Sequence, residues 1–294
     1  MVVVKDLLRK TKDKFDKAGI ENPAFNSLCL VEKAFSVTHQ DLIIKPSITA
    51  DEKKLATFES LVERRLSGEP LQYILGEWEF YGRRLKVGSG VLIPRDDTEV
   101  LLRCCLEILK TKPCARILDL CSGSGALAIA VAKETGCEVY AVEKSADALP
   151  YLYENIKLNN AEVKVCDGDV FECHREFENG FFDLILSNPP YIKSEEINSL
   201  QTEVGFEPRM ALDGGEDGYD FYRFIIKEWS AKLKSGGTLA FELGEGQFDT
   251  VKALMNEAGY ENITPRYDFS NIQRAVTASM PSPEGKVAEQ SEVG

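Results

Sequence analysis

The sequence predicts a two-part protein: an α/β domain built on a mostly parallel sheet, preceded by a small helical bundle. Three patterns carry that expectation. From about residue 116 onward, short apolar runs alternate with stretches of helical spacing, as in strand–helix–strand units whose helices cover a parallel sheet. The first 75 residues instead repeat their apolar positions at helical spacing. Between the two, residues 76–92 turn to short aromatic and aliphatic runs broken by Gly82, which predicts a hairpin linker. At roughly 150 residues per domain, a chain of 294 residues fits such a pair.

Leu7, Leu8, Phe15 and Ala18 place a first helix. Asn22-Pro23 reads as an N-cap with Pro at the first helical position, opening a second helix that carries Phe25, Leu28, Ala34 and Phe35. Thr49-Ala50-Asp51-Glu52 has the capping-box pattern before a third helix striped with Leu55, Phe58, Val62 and Leu66, and Gly68 and Pro70 stop it. Beyond Pro94, strands are expected at 116–120, 139–142, 163–166 and 182–186, with helices over 124–133 and up to 159. A helix over 221–233, a strand at 238–242, a helix over 248–258 and apolar runs near Ile263 and Ala275 follow. Residues 281–294 are polar and expected to be disordered. The division is therefore 1–75, a helical recognition domain; 76–92, a linker; 93–280, the α/β domain; and a tail.

Composition narrows the function. With 44% hydrophobic and 28% charged residues the chain is an ordinary globular one. No run approaches the roughly 18 apolar residues of a membrane span, and the first residues mix Lys and Asp into their apolar positions, unlike a signal peptide, so a cytoplasmic protein is expected. Eight cysteines lack any C-x-x-C spacing and read as free, mostly buried thiols. Two histidines, His39 and His174, give little material for a metal site or a catalytic triad, and no metal is expected. A net charge of −13 disfavours stable DNA binding, without excluding a local basic groove.

The chemistry concentrates where strands end. Asp119-Leu120-Cys121-Ser122-Gly123-Ser124-Gly125 runs from a strand through a glycine turn into a helix, where a ligand can approach the backbone, although any sharp strand-to-helix turn uses glycine in this way. Glu143 closes the second strand, where Rossmann-type sites hold a carboxylate for ribose hydroxyls. The third glycine of a dinucleotide fingerprint is missing, which favours a nucleoside cofactor without phosphates, such as S-adenosylmethionine. Asp169, beside Val170, is placed either to accept from an adenine amino group or to form an Asx turn. Ser187-Asn188-Pro189-Pro190-Tyr191 leaves the fourth strand rigidly at the carboxyl edge of the sheet. There, the Asn188 side-chain carbonyl and a neighbouring backbone carbonyl can accept both hydrogens of a planar NH2 group, and Tyr191 offers a stacking face. The plainer alternative is a proline-rich turn with a satisfied asparagine.

Asn-Pro-Pro-Tyr after the fourth strand, together with Asp119 to Gly125 after the first, resembles the amino-methyltransferases that use S-adenosylmethionine. The nearer resemblance is to the HemK/PrmC family, the peptide chain release factor glutamine methyltransferases, and it covers nearly the whole chain. It rests on Arg64-Arg65-x-x-Gly68-Glu69-Pro70-Leu71-Gln72-Tyr73, Gly76-Glu77-x-Glu79-Phe80-Tyr81-Gly82, Ile93-Pro94-Arg95-Asp96-Asp97-Thr98-Glu99, Glu203-Val204-x-x-Glu207-Pro208-x-x-Ala211-Leu212, Glu242-Leu243-Gly244-x-x-Gln247 and the late Arg274. Asp96 departs from the family's usual second Pro, Cys121 and Glu143 replace the commoner Gly and Asp, and Val170 stands at an often aromatic position.

The resemblance implies a Rossmann-like class I methyltransferase domain with a seven-stranded sheet, S-adenosylmethionine as cofactor, and methyl transfer to the amide nitrogen of the glutamine in the Gly-Gly-Gln loop of release factors. Asp119, Cys121, Ser122, Gly123, Ser124, Gly125, Glu143, Asp169, Val170 and Asn188 would hold the cofactor. Asn188, Pro189, Pro190, Tyr191, Pro94 and Arg95 would hold the substrate, with Asn188, Pro189 and Tyr191 closest to the chemistry. The partner would be the release factor itself, with no membrane binding and no ribosome contact required. Two other readings compete: an adenine-N6 or cytosine-N4 methyltransferase on nucleic acid, and a catalytically silent cofactor-binding interaction protein. Residues 1–75 are only slightly basic and carry no dense basic cluster, which speaks against the first; an intact Asn-Pro-Pro-Tyr speaks against the second.

Overall fold

The computed structural model describes residues 2–282; the expected disordered tail lies outside the described residues from 283. Two compact units are present, one made of the residues up to Glu77 together with Gln201–Phe206, the other of Trp78–Leu200 and the chain from Glu207.

The first unit is helical. After a two-residue strand β1 (Val2–Val3) come α1 (Val4–Lys17), α2 (Pro23–Phe35) and α3 (His39–Ile44). Strand β2 (Thr49–Ala50) then pairs antiparallel with β1, and α4 (Glu52–Leu66) and α5 (Leu71–Leu75) follow. The caps differ from the sequence expectation. Asn22 is left-handed (φ 50°) and its side chain makes no cap bond. The helix at 52 is capped by Asp51, which accepts from the Lys54 N–H, because Thr49 is taken up by the strand pair. The capping box that forms is at α3, where Thr38 and Asp41 bond reciprocally. Phe15, Leu30, Val31, Phe35, Phe58 and Val62 make the core. Arg65 lies inside it, its Nε donating to Asn26 Oδ1 (2.7 Å), its Nη1 to the Glu69 carbonyl and its Nη2 to Glu203. The segment around Glu203 belongs to this unit in spite of its distance along the chain.

The second unit opens with the expected hairpin, β3 (Glu77–Phe80) and β4 (Arg83–Lys86). Helix α6 (Thr98–Leu109) comes next, unassigned in the sequence reading. Its apolar residues fall in adjacent pairs, Leu101-Leu102 and Cys104-Cys105, and its start carries no side-chain cap bond, so both local signals are weak. The alternation then runs β5 (Arg116–Leu120), α7 (Ala126–Thr135), β6 (Glu138–Glu143), α8 (Leu149–Leu158), β7 (Val163–Asp167) and β8 (Phe182–Ser187). It closes with α9 (Asp220–Phe224), β9 (Leu233–Glu242), α10 (Phe248–Glu257), β10 (Glu261–Tyr267) and β11 (Gln273–Ser279).

The helix expected over 221–233 is shorter. After α9 it widens into a π turn at Ile225–Trp229 and tightens into a 3-10 turn at Ser230–Lys232. The Ser230 hydroxyl bonds the Ile226 carbonyl, the group the next helical N–H would use, and so ends the helix. Strand β9 begins early, at Leu233, but its register against β8 slips, with Phe182 opposite Leu233 and Leu184 opposite Thr238; regular pairing resumes where the sequence placed the strand.

The seven strands lie in the order β10-β11-β9-β8-β5-β6-β7, and only β11 runs against the rest. Central strands buried on both faces need apolar residues throughout, and Ile117, Leu118, Leu120, Leu184, Ile185 and Leu186 are fully buried. Helices α6, α7 and α8 pack on one face, while α9, the turn after it and α10 pack on the other, centred on Tyr222, Trp229 and Phe241. All eight cysteines are free, but only Cys104, Cys105 and Cys173 are buried. Of the others, Cys29, Cys121, Cys137 and Cys166 are only partly covered and Cys114, in the turn before β5, is exposed. No helix among the described residues is long and apolar enough to cross a membrane.

Candidate active site

Neighbouring strands β5 and β8 mark the point where the strand order reverses, and a crevice opens beyond their carboxyl ends, the usual ligand position in such sheets. It forms a pocket walled by the glycine turn, the end of β6 and the segments around 90–92 and 208–211.

The glycine turn shapes one wall. Cys121, Gly123 and Gly125 all have positive φ, and at Gly125 (φ 81°) an added Cβ would stand 2.5 Å from Leu152 Cδ1, so that position takes only glycine without a shift of its neighbours. Asp119, fully buried beneath the turn, accepts the Ala128 N–H at the start of α7 through Oδ2 (3.1 Å), while its Oδ1 has no hydrogen-bond partner. Burial pushes its carboxyl up to about 7. Glu143 faces the cavity from the end of β6 and also stiffens it, Oε2 accepting from the Gly123 N–H (2.7 Å) and Oε1 from the Ser145 N–H (2.8 Å).

Of the expected cofactor residues, Cys121, Gly123, Glu143, Val170 and Asn188 line the cavity. Asp169 is engaged elsewhere: Oδ1 accepts the Phe171 N–H (3.0 Å), which is the Asx turn, and Oδ2 pairs with Lys144 (2.8 Å). The sequence reading missed Phe221, which lines the cavity with Val170 and packs on Phe171 with ring centres 5.0 Å apart. It supplies an aromatic wall where Val170 has none.

The remaining wall joins distant segments. Glu207 is buried and accepts from the Ile93 N–H (3.0 Å) and from the Arg95 guanidinium. That clamp ties 90–95 to 207–211, and Gly90, Val91, Leu92, Pro208, Met210 and Ala211 all line the cavity. It gives Glu207-Pro208 its physical role. Arg95 is therefore a partner of this wall, and Pro94 is buried in it.

Asn188 sits half-buried on the cavity edge. Its Nδ2 donates to Thr98 Oγ1 (3.4 Å). The Thr98 hydroxyl in turn bonds Glu242, so its hydrogen is committed and it can only accept from Asn188. The amide nitrogen must then face Thr98, which leaves Oδ1 without a partner among the described residues. The Pro189 carbonyl likewise accepts no hydrogen bond among them. Tyr191 donates its hydroxyl to Glu242 Oε1 (3.4 Å). Glu242, 2% exposed at the end of β9, thus holds both side chains; burial raises its carboxyl to about 7, and its Oε2 has no partner. The sequence signal for this support was a carboxylate closing an apolar strand.

Comparison with known proteins agrees. Residues 6–76 match the PrmC N-terminal domain and residues 96–205 the methyltransferase small domain. A release factor glutamine methyltransferase of Thermodesulfovibrio yellowstonii is 42% identical, covering 79% of this chain and 83% of its own. That of Geobacter sulfurreducens is 38% identical over 93% and 95%. Among solved structures, a methyltransferase from Pyrococcus furiosus (20% identical, TM-score 0.51, 69% of this chain and 91% of that one) and the hMettl16 catalytic domain (16%, 0.56, 76% and 83%) share the fold. The sheet order, the matched domains and these relatives together make the chain a member of the release factor glutamine methyltransferase family.

Proposed function

We propose that this protein transfers a methyl group from S-adenosylmethionine to the side-chain amide nitrogen of the glutamine in the Gly-Gly-Gln loop of peptide chain release factors. The observation that carries the reading is the pair of acceptors at the cavity edge, Asn188 Oδ1 and the Pro189 carbonyl, both without partners among the described residues.

The cavity suits the cofactor. Val170 and Phe221 offer an apolar wall for a flat base, Glu143 a carboxylate for hydroxyls, and the turn at Cys121 and Gly123 exposed backbone. When bound, S-adenosylmethionine supplies an electrophilic methyl group on a sulfonium. An amide nitrogen is a poor nucleophile because its lone pair is shared with its carbonyl, so the protein's task is positioning. Asn188 Oδ1 and the Pro189 carbonyl take the two N–H groups, aim the nitrogen at the cavity, and stabilise positive charge developing on it. Thr98 and Glu242 keep Asn188 in that orientation. Tyr191, its hydroxyl fixed by Glu242, flanks the amide plane. No base is required, because the proton leaves to water after transfer.

The test is mass spectrometry of a release factor incubated with the protein and S-adenosylmethionine. A gain of one CH2 on the loop glutamine, absent when that glutamine is replaced, supports the reading; an unmodified loop beside methylated nucleic acid would overturn it.

A further inference from the structure

Beside the cofactor cavity, a second cluster of chemical groups has no part in the mechanism above. Cys166, near the end of β7, places its Sγ 3.5 Å from Cys173 Sγ and 3.6 Å from Glu176 Oε2. One ligand atom from each of the three side chains lies within 4.8 Å of the others. Cys173 and Glu176 open and close a single 3-10 turn, whose i and i+3 side chains share a face. That turn is pinned by the Cys173 N–H donating to the Asp169 carbonyl (2.8 Å), and Gly168 leaves the Cys173 sulfur room that a Cβ would fill.

A tetrahedral zinc ion has Zn–S bonds of about 2.3 Å and Zn–O bonds of about 2.0 Å, which sets its sulfurs about 3.8 Å apart and each sulfur about 3.5 Å from the oxygen. The Cys166 sulfur already stands close to those spacings from both Cys173 and Glu176, and the third pair lies within 4.8 Å. A disulfide has a sulfur separation near 2.0 Å, far shorter than the one present. The surrounding charge is negative as well, from Glu172 and Asp169 beside Cys173.

We propose that Cys166, Cys173 and Glu176 form a site for one thiophilic divalent cation of the zinc class, completed by water. On binding, each thiol releases its proton to solvent, two metal–sulfur bonds and one metal–oxygen bond form, the cation sheds water, and no oxidation state changes. The two-thiolate, one-carboxylate set favours zinc or cobalt over magnesium or calcium. Because the segment between the thiols includes Gly168 and Val170 of the cavity wall, the ion would stiffen the cofactor site without entering it.

The experiment is titration of the reduced, chelator-stripped full chain with cobalt(II) alone, read by thiolate-to-cobalt charge-transfer absorption. One equivalent per chain should saturate the band, and zinc should displace it. C166S and C173S should lose the band, with retained S-adenosylmethionine binding showing that they fold. E176Q, at an exposed position, should weaken cobalt binding by about 10-fold or more, and C114S and C137S should leave it unchanged. A wild-type chain with no saturable band, a band surviving in the C166S/C173S double variant, or an E176Q chain that binds like wild type would overturn the proposal.

Discussion

Replacing Glu242 by Gln gives the sharpest test of the support beneath Asn188 and Tyr191. The carboxyl is 2% exposed, and burial moves it from 4.5 to about 7, in spite of hydrogen bonds from Thr98 and Tyr191 that favour its charged form. Because the folded value lies above the unfolded one, the folded chain holds this proton longer. The contribution is fully present below about pH 4.5 and is lost as pH rises through about 7. A difference of about 2.5 pH units corresponds to about 3 kcal/mol at roughly 1.4 kcal/mol per unit. Gln cannot titrate; its amide oxygen takes the place of Oε1, and its NH2 replaces Oε2, which has no partner to lose. Urea unfolding of both proteins from pH 4.5 to 8.5 should show E242Q gaining about 3 kcal/mol on wild type across the range. Asp119, also raised to about 7, is common to both and drops out of the difference. A difference that stays flat through that window would refute the buried, proton-binding Glu242.

Other expectations follow from the same geometry. Asn188→Ala should leave S-adenosylmethionine affinity nearly unchanged in calorimetry and cut turnover about 10²-fold, the scale for losing one positioned polar group; normal turnover would remove the clamp. Glu207→Ala strips the Ile93 N–H and the Arg95 guanidinium of a shared acceptor. With Arg95 partly solvated, the expected loss is about 2 kcal/mol in urea unfolding, together with weaker cofactor binding as the 207–211 wall loosens; unchanged values of both would show that the wall stands without it. Gly125→Ala forces a left-handed residue and a Cβ 2.5 Å from Leu152 Cδ1, so a loss of about 2 kcal/mol or more is expected, read as a lowered Tm; an unchanged Tm would show that the turn relaxes.

Much of the fold was legible because its signals are local. A strand buried on both faces is mostly apolar, and Ile117, Leu118 and Leu120, like Phe182 and Leu184 to Leu186, follow that rule around single aspartates at 119 and 183. The turn from Asp119 to Gly125 needs glycine where φ is positive, and two prolines after Ser187 can only leave a sheet. The same logic places Asn188 at the sheet's carboxyl edge before any contact is known. Local signals failed where the chain used another partner than the expected one, as at Thr49, taken into a strand; at Asp169 the Asx turn to Phe171, one of its two readings, is formed, and Lys144 pairs with its other oxygen.

What the sequence by itself determined is the alternation of strands and helices from β5 onward and the edge at which the chemistry sits, since periodicity and turn geometry depend only on near neighbours. Tertiary structure alone decided which distant groups meet there: Glu207 with an N–H 114 positions earlier, Glu242 beneath Thr98 and Tyr191, and Phe221 beside Val170. A buried carboxylate must find partners wherever folding brings them, and a bond across a hundred residues leaves no spacing for the sequence to show.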